Sequence, residues 1–133
     1  MSRSIRVSIL WICLAALLGG CLSSSVVVSD VDDGAARVLA VGDRLVVRLV
    51  GNPSTGYLWS RVLPDDLADG PLEVIEEGGF TASESSPGVV GAPGEFLFEY
   101  RAISSGLVNL GFAYERPWVG EAVDEWTVAI WVR

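Results

Sequence analysis

The chain has 133 residues, half of them hydrophobic, and carries 9 Lys+Arg against 17 Asp+Glu for a formal net charge of −8. That acidic balance argues against an electrostatic grip on nucleic acid or on an anionic membrane surface. Histidine is absent and there are only two cysteines, so no Ser-His, Cys-His or His-metal arrangement can be assembled; the common hydrolytic enzymes are excluded, and no metal or other cofactor is expected.

Arg3 and Arg6 open the chain, Val7 to Leu18 is an apolar run, and Leu18-Gly-Gly-Cys21 follows. A basic start, a short apolar stretch and small residues make a secretory signal, and the run falls short of the roughly 20 residues that a membrane-spanning helix needs. The last four of these residues resemble the bacterial lipoprotein box, which implies diacylglyceryl transfer to the Cys21 thiol and cleavage before it. On that reading residues 1–20 are a lipoprotein signal peptide, and residues 21–34 form a lipidated tether ending in an edge strand or its approach over Val26–Val28. The mature protein would be exported and held to the bacterial cell envelope by palmitate-type chains, on the outer membrane if the cell is Gram-negative and otherwise on the outer face of the cell membrane. Cys13 leaves with the signal and Cys21 is blocked, so no intrachain disulfide is expected.

The segment Asp30-Val-Asp-Asp-Gly34 lacks the glycine and glutamate spacing of an EF-hand, with Ala35 and Val41 at the required places, and reads as a turn. Arg37–Val41 reads as a strand, Gly42-Asp43 as a tight turn, and Arg44–Val50 as a strand with Leu45, Val47 and Leu49 on its core face. Gly51-Asn-Pro-Ser-Thr-Gly-Tyr-Leu-Trp59 is the most informative stretch. Asn52 and Pro53 suit the first two positions of a turn and Gly56 can take positive φ, so Ser54 and Thr55 are lifted to the tip. Tyr57–Val62 is the strand that leaves it.

Leu63–Pro71 reads as a loop with one helical turn around Asp65–Ala68, and Leu72–Glu77 as a strand. The pairs Asp65-Asp66 and Glu76-Glu77 read as solvated charge, not as a catalytic acid and base, because neighbours on a strand point to opposite faces. Thr81–Gly94, rich in Ser, Gly and Pro, is long enough to suggest a functional loop. Three closing strands alternate clearly, with Phe96, Phe98 and Tyr100, then Val108, Leu110, Phe112 and Tyr114, then Trp126, Val128, Ile130 and Val132 on their core faces. Between the last two, Pro117 interrupts the ladder and pushes Trp118 out at a bend, where a large aromatic serves as a binding hot spot. About seven to eight short strands without a helical period or a repeat predict an all-β antiparallel sandwich.

Three motifs in this order, Asn52-Pro-Ser-Thr-Gly-Tyr-Leu-Trp59, Gly91-Ala-Pro-Gly94 and Arg116-Pro-Trp118, resemble the chagasin family of cysteine-peptidase inhibitors. The resemblance runs from about Ala35 to Arg133, taking in Ala40-Val-Gly-Asp43 and Val108-Asn-Leu110, and defines residues 35–133 as the inhibitor domain. It implies an immunoglobulin-like sandwich and a monomeric, reversible inhibitor, not an enzyme, whose three loops plug the cleft of papain-like cysteine peptidases. Asn52, Pro53, Ser54, Thr55, Gly56 and Tyr57 would cover the catalytic pair. Gly91, Ala92, Pro93 and Gly94 would approach one wall, and Arg116, Pro117 and Trp118 the other. Two departures stand out: Pro93 replaces a glycine of the second motif and stiffens it, and Ser54 stands where threonine is usual. The rival reading is a lipid-anchored envelope interaction module with no protease target, for which anchor and sandwich alone would be equal evidence.

Overall fold

The computed structural model describes residues 22–85 and 88–133, so the expected signal peptide, residues 1–20, and the expected lipidation site Cys21 lie outside the described residues. Eight strands follow one another: β1 (Ser25–Ser29), β2 (Ala35–Leu39), β3 (Arg44–Gly51), β4 (Leu58–Leu63), β5 (Leu72–Ala82), β6 (Gly94–Ala102), β7 (Gly106–Glu115) and β8 (Ala122–Val132). They form two four-stranded sheets, β1-β3-β6-β5 and β2-β8-β7-β4, packed as the expected sandwich. The central pairings are antiparallel, but the edge strands β1 and β2 each join their sheet in parallel, beside β3 and β8.

The core follows from alternation. Leu45, Val47 and Leu49 of β3, Phe96, Phe98 and Tyr100 of β6, and Trp126, Val128, Ile130 and Val132 of β8 are all buried. Phe98 meets Phe112 at 4.6 Å between ring centroids, and Phe112 meets Trp126 edge-on at 5.7 Å. Fully burying side chains of this size stabilises by about 1.5–3 kcal/mol each. β1 belongs to the same core through the buried Val28.

Residues 65–68 form no helical turn: a bend at Asp65 leads into a turn at Ala68, whose N–H is held by Asp66 Oδ1 at 2.8 Å, a local side-chain closure that competes with helix. Nor is Glu77 simply solvated. Register shifts between Val74 and Glu76 and between Glu77 and Gly79 break the alternation of β5 and re-aim the Glu77 carboxylate. It accepts from the Tyr100 hydroxyl at 3.0 Å and pairs with Arg61. This Arg61–Glu77–Tyr100 chain ties β4 of one sheet to β5 and β6 of the other. Burial, with Glu77 beside it, pushes the Tyr100 phenol well above the usual range, so it stays a donor.

At one end of the sandwich, Asp43 closes the turn between β2 and β3. Its carboxylate accepts from the backbone N–H of Ser24 at 3.0 Å and of Ala40 at 2.9 Å, and these two bonds hold its pKa below the ordinary value. The opposite end carries the β3–β4, β5–β6 and β7–β8 connections, the three sequence motifs.

Candidate inhibitory loop row

The first loop is built by its own side chains. Pro53–Thr55 form a single 3-10 turn, entered from Asn52 in extended conformation and left through Gly56 at φ +84°. Proline pre-sets the entry, and only glycine leaves such a turn without strain. Asn52 Oδ1 accepts from the Ser54 N–H at 3.1 Å and the Ser54 hydroxyl at 2.6 Å, while the Thr55 hydroxyl donates to the Asn52 carbonyl at 2.7 Å. The Asn52 N–H donates to the Tyr114 hydroxyl at 3.0 Å, which fastens the loop base to β7. Trp59 stacks on Tyr114 at 5.1 Å and donates its indole N–H to the Val50 carbonyl at 2.9 Å, locking the two strands that carry the loop. Ser54 and Thr55 are exposed at the tip, as the turn chemistry predicts.

Loops distant in sequence meet this tip on both sides. The Asn52 side-chain amide donates to the Gly91 carbonyl at 2.8 Å, crossing to the second loop. On the other flank, Arg116 donates from Nε to the Thr55 carbonyl at 3.3 Å and lays its guanidinium over the Tyr57 ring at 4.5 Å. Trp118 lies against Gly56 so closely that a Cβ there would come within 2.8 Å of the indole ring. The three motifs therefore form one row, with the first loop in the middle. Trp118 keeps 73% of its surface exposed in this arrangement.

Two residues of the second motif are turned inward. Ala92 is buried, and Gly94 begins β6, where a Cβ would sit 2.2 Å from the Thr81 carbonyl oxygen. Gly91 and Pro93 are exposed, together with Val89 and Val90, two apolar residues in a loop otherwise rich in Ser, Gly and Pro; Val90 is 98% exposed. Tyr114, which alternation places on the core face of β7, also holds the first loop through its hydroxyl. Its spacing two residues before Arg116 is the signal that it could hold the loops. A cleft of about 500 Å³ lies beside the second loop, among Arg48, Thr81, Glu84 and Leu97, and none of the first- or third-loop residues lines it. Among the described residues no group of His, Cys, Asp or Glu is arranged to hold a metal.

The rigid sandwich, exposed polar tip and exposed tryptophan define a protein that presents a preformed binding surface. Residues 38–131 match the model of the Chagasin family peptidase inhibitor I42, and the chain belongs to that family of peptidase inhibitors. It is similar to chagasin of Trypanosoma cruzi, with 26% identity over 80% of this chain and 94% of that one. Its fold resembles the crystal structure of a cysteine protease inhibitor from Entamoeba histolytica at a TM-score of 0.72, with 23% identity, covering 86% of this chain and 100% of the other. It also resembles, at a TM-score of 0.51 and 17% identity over 84% of this chain and 91% of that one, the inhibitor PbICP-C solved in complex with falcipain-2.

Proposed function

We propose that the protein is a reversible inhibitor of papain-like cysteine peptidases that covers the catalytic cleft with its three-loop row. The observation that carries this reading is the bridging of the loops: Asn52 reaches Gly91 on one side while Arg116 and Trp118 close on Thr55 and Gly56 on the other. A surface already assembled loses little entropy on docking, and that favours tight binding without any covalent step.

The first loop sits over the nucleophile without offering a peptide bond. Its backbone is a tight turn, whereas a protease reads an extended strand. Three carbonyls are already engaged: Asn52 O by the Thr55 N–H and hydroxyl, Pro53 O by the Gly56 N–H at 3.0 Å, and Thr55 O by Arg116. Both tip hydroxyls donate inward, to Asn52; this leaves the Ser54 oxygen to accept from a protonated imidazole, while Thr55 Oγ1 also accepts from the Tyr57 N–H at 3.4 Å. Gly91 and Pro93, with exposed Val89 and Val90, meet one wall of the cleft; Trp118, resting against Gly56, stacks on the other. The inhibitor acts as a monomer, anchored to the cell envelope through acylated Cys21. Titrating papain with the purified domain tests the central part: turnover of a peptide substrate falls stoichiometrically and returns on dilution. Full activity at excess inhibitor would sink the reading, and a membrane-free, unacylated protein in its native cell would sink the anchor.

A further inference from the structure

The end of the sandwich opposite the loops carries features that inhibition does not use. Arg44, the first residue of β3, stands directly opposite Arg101, the penultimate residue of β6. Like charges placed directly across a sheet repel, so this pairing is unfavourable unless an anion lies between them. Glu99 takes Arg44 at 3.3 Å, and Arg101 makes none of the ion pairs found among the described residues, although Glu73 is its neighbour in register. The two arginines line a cleft of about 410 Å³ with Ser23, Ser24 and Ser25, a set of guanidinium and hydroxyl donors suited to a phosphate.

The other sheet adds an apolar margin at the same end. Val38, Trp131 and Leu107 are cross-strand neighbours, each one residue from the end of its strand, and all three are exposed, at 46%, 51% and 76%. The guanidinium of Arg133 lies over the Trp131 ring at 5.3 Å. A row of Trp and Leu beside arginine is the composition of a membrane-interface contact. Chain length says what covers it. Asp43 pins the Ser24 N–H to this end, and only three Cα steps separate Ser24 from Cys21, a reach of at most about 11 Å.

We propose that this end is a membrane-docking surface, which takes a lipid phosphate between Arg44 and Arg101 and seats Trp131 in the headgroup layer. The inference rests on acylation of Cys21. Net charge opposes it, and Asp65, Asp66, Asp69 and Glu73 lie toward this end, but Glu99 is taken by Arg44, Asp43 is occupied by backbone N–H groups, and Glu95, Glu115, Asp124 and Glu125 sit toward the loop end. Docked in this way, the loops stand the length of β7 away from the bilayer, about 33 Å, facing outward.

The test uses the full-length protein, processed in cells and reconstituted into phosphatidylglycerol-containing vesicles with brominated acyl chains. Mass spectrometry of the membrane fraction first establishes acylation. Bromine is expected to quench part of the tryptophan fluorescence, and the quenched part to vanish in Trp131→Phe and persist in Trp118→Phe. Arg44→Gln with Arg101→Gln should reduce the docked fraction about 5-fold per side chain, as should replacing phosphatidylglycerol with phosphatidylcholine. Unchanged papain inhibition by Trp131→Phe and the double arginine variant shows that both fold. An acylated, membrane-bound protein without Trp131 quenching overturns the docking surface alone. An unacylated protein in the soluble fraction overturns the anchor, and the docking surface with it.

Discussion

The first and second loops differ in how they are held, although both belong to one row. Residues 52–56 are fixed by side-chain and backbone bonds within the loop, by Tyr114 below and by Arg116 beside it. Among the described residues, the second loop is closed by Ser83 N–H to Pro93 O at 3.0 Å, by Ala92 N–H to Val89 O at 3.2 Å and by the Ser83 and Ser85 hydroxyls at 2.7 Å, with a side-chain bridge from Asn52 to Gly91, and it exposes bare valines. The first supplies shape at little entropic cost; the second supplies apolar surface whose ordering must be offset on binding. Trp118 combines the two, because its ring is exposed yet braced.

The largest effect is expected from Trp118→Ala: roughly 2 to 4 kcal/mol of binding, about 30- to 1000-fold, seen as faster dissociation, with thermal stability shifted by less than about 0.5 kcal/mol. Inhibition kinetics and a melting curve read together check this. Unchanged inhibition with a collapsed melting temperature would make Trp118 structural. Asn52→Ala comes next, because one side chain holds Ser54 and Gly91 together. A loss of about 1.5–3 kcal/mol in affinity is expected, and Val90→Ala should be additive with Trp118→Ala but not with Asn52→Ala if Asn52 positions the second loop.

Asp43→Asn, at the far end, sharpens the contrast from the other side. It should lower stability by about 1–2 kcal/mol and leave inhibition unchanged. The pKa of Asp43 is lowered on folding by the N–H groups of Ser24 and Ala40, so its contribution is present above the unfolded value near 3.8 and is lost as pH falls through the lower folded value. Melting curves of variant and wild type should therefore converge in strong acid. Ser54→Ala removes one hydroxyl from an exposed tip, for about 0.5–1.5 kcal/mol of affinity. Pro93→Gly is expected to be smallest, about 0.4–1 kcal/mol, mostly by loosening the unbound loop. A loss confined to the association phase in stopped-flow traces would identify that loosening.

The β3, β6, β7 and β8 cores were legible because period-two alternation records which face is buried, and the first loop because Asn-Pro and Gly56 carry local turn preferences. What escaped depended on partners far along the chain. Nothing in Val26–Val28 or Arg37–Val41 marks a parallel edge pairing, since both hands of pairing use the same residues. Glu77 is exposed as expected, but its pairing with Arg61 and Tyr100 depends on two bulges in β5 that shift its register, and the burial of Ala92 follows from the closure of Val89 on its N–H. The contacts that hold the loop row together were likewise invisible: Asn52 and Gly91 are 39 residues apart, and only the fold brings them to 2.8 Å.

The most direct measurement of the central claim is alkylation of the catalytic cysteine of papain in the presence of excess inhibitor, followed by mass spectrometry of both proteins. The account predicts that the thiol is protected while bound, reacts at its free rate after dilution, and leaves the inhibitor intact. Alkylation at the free rate during full inhibition, or an inhibitor cut between Asn52 and Gly56, would contradict it.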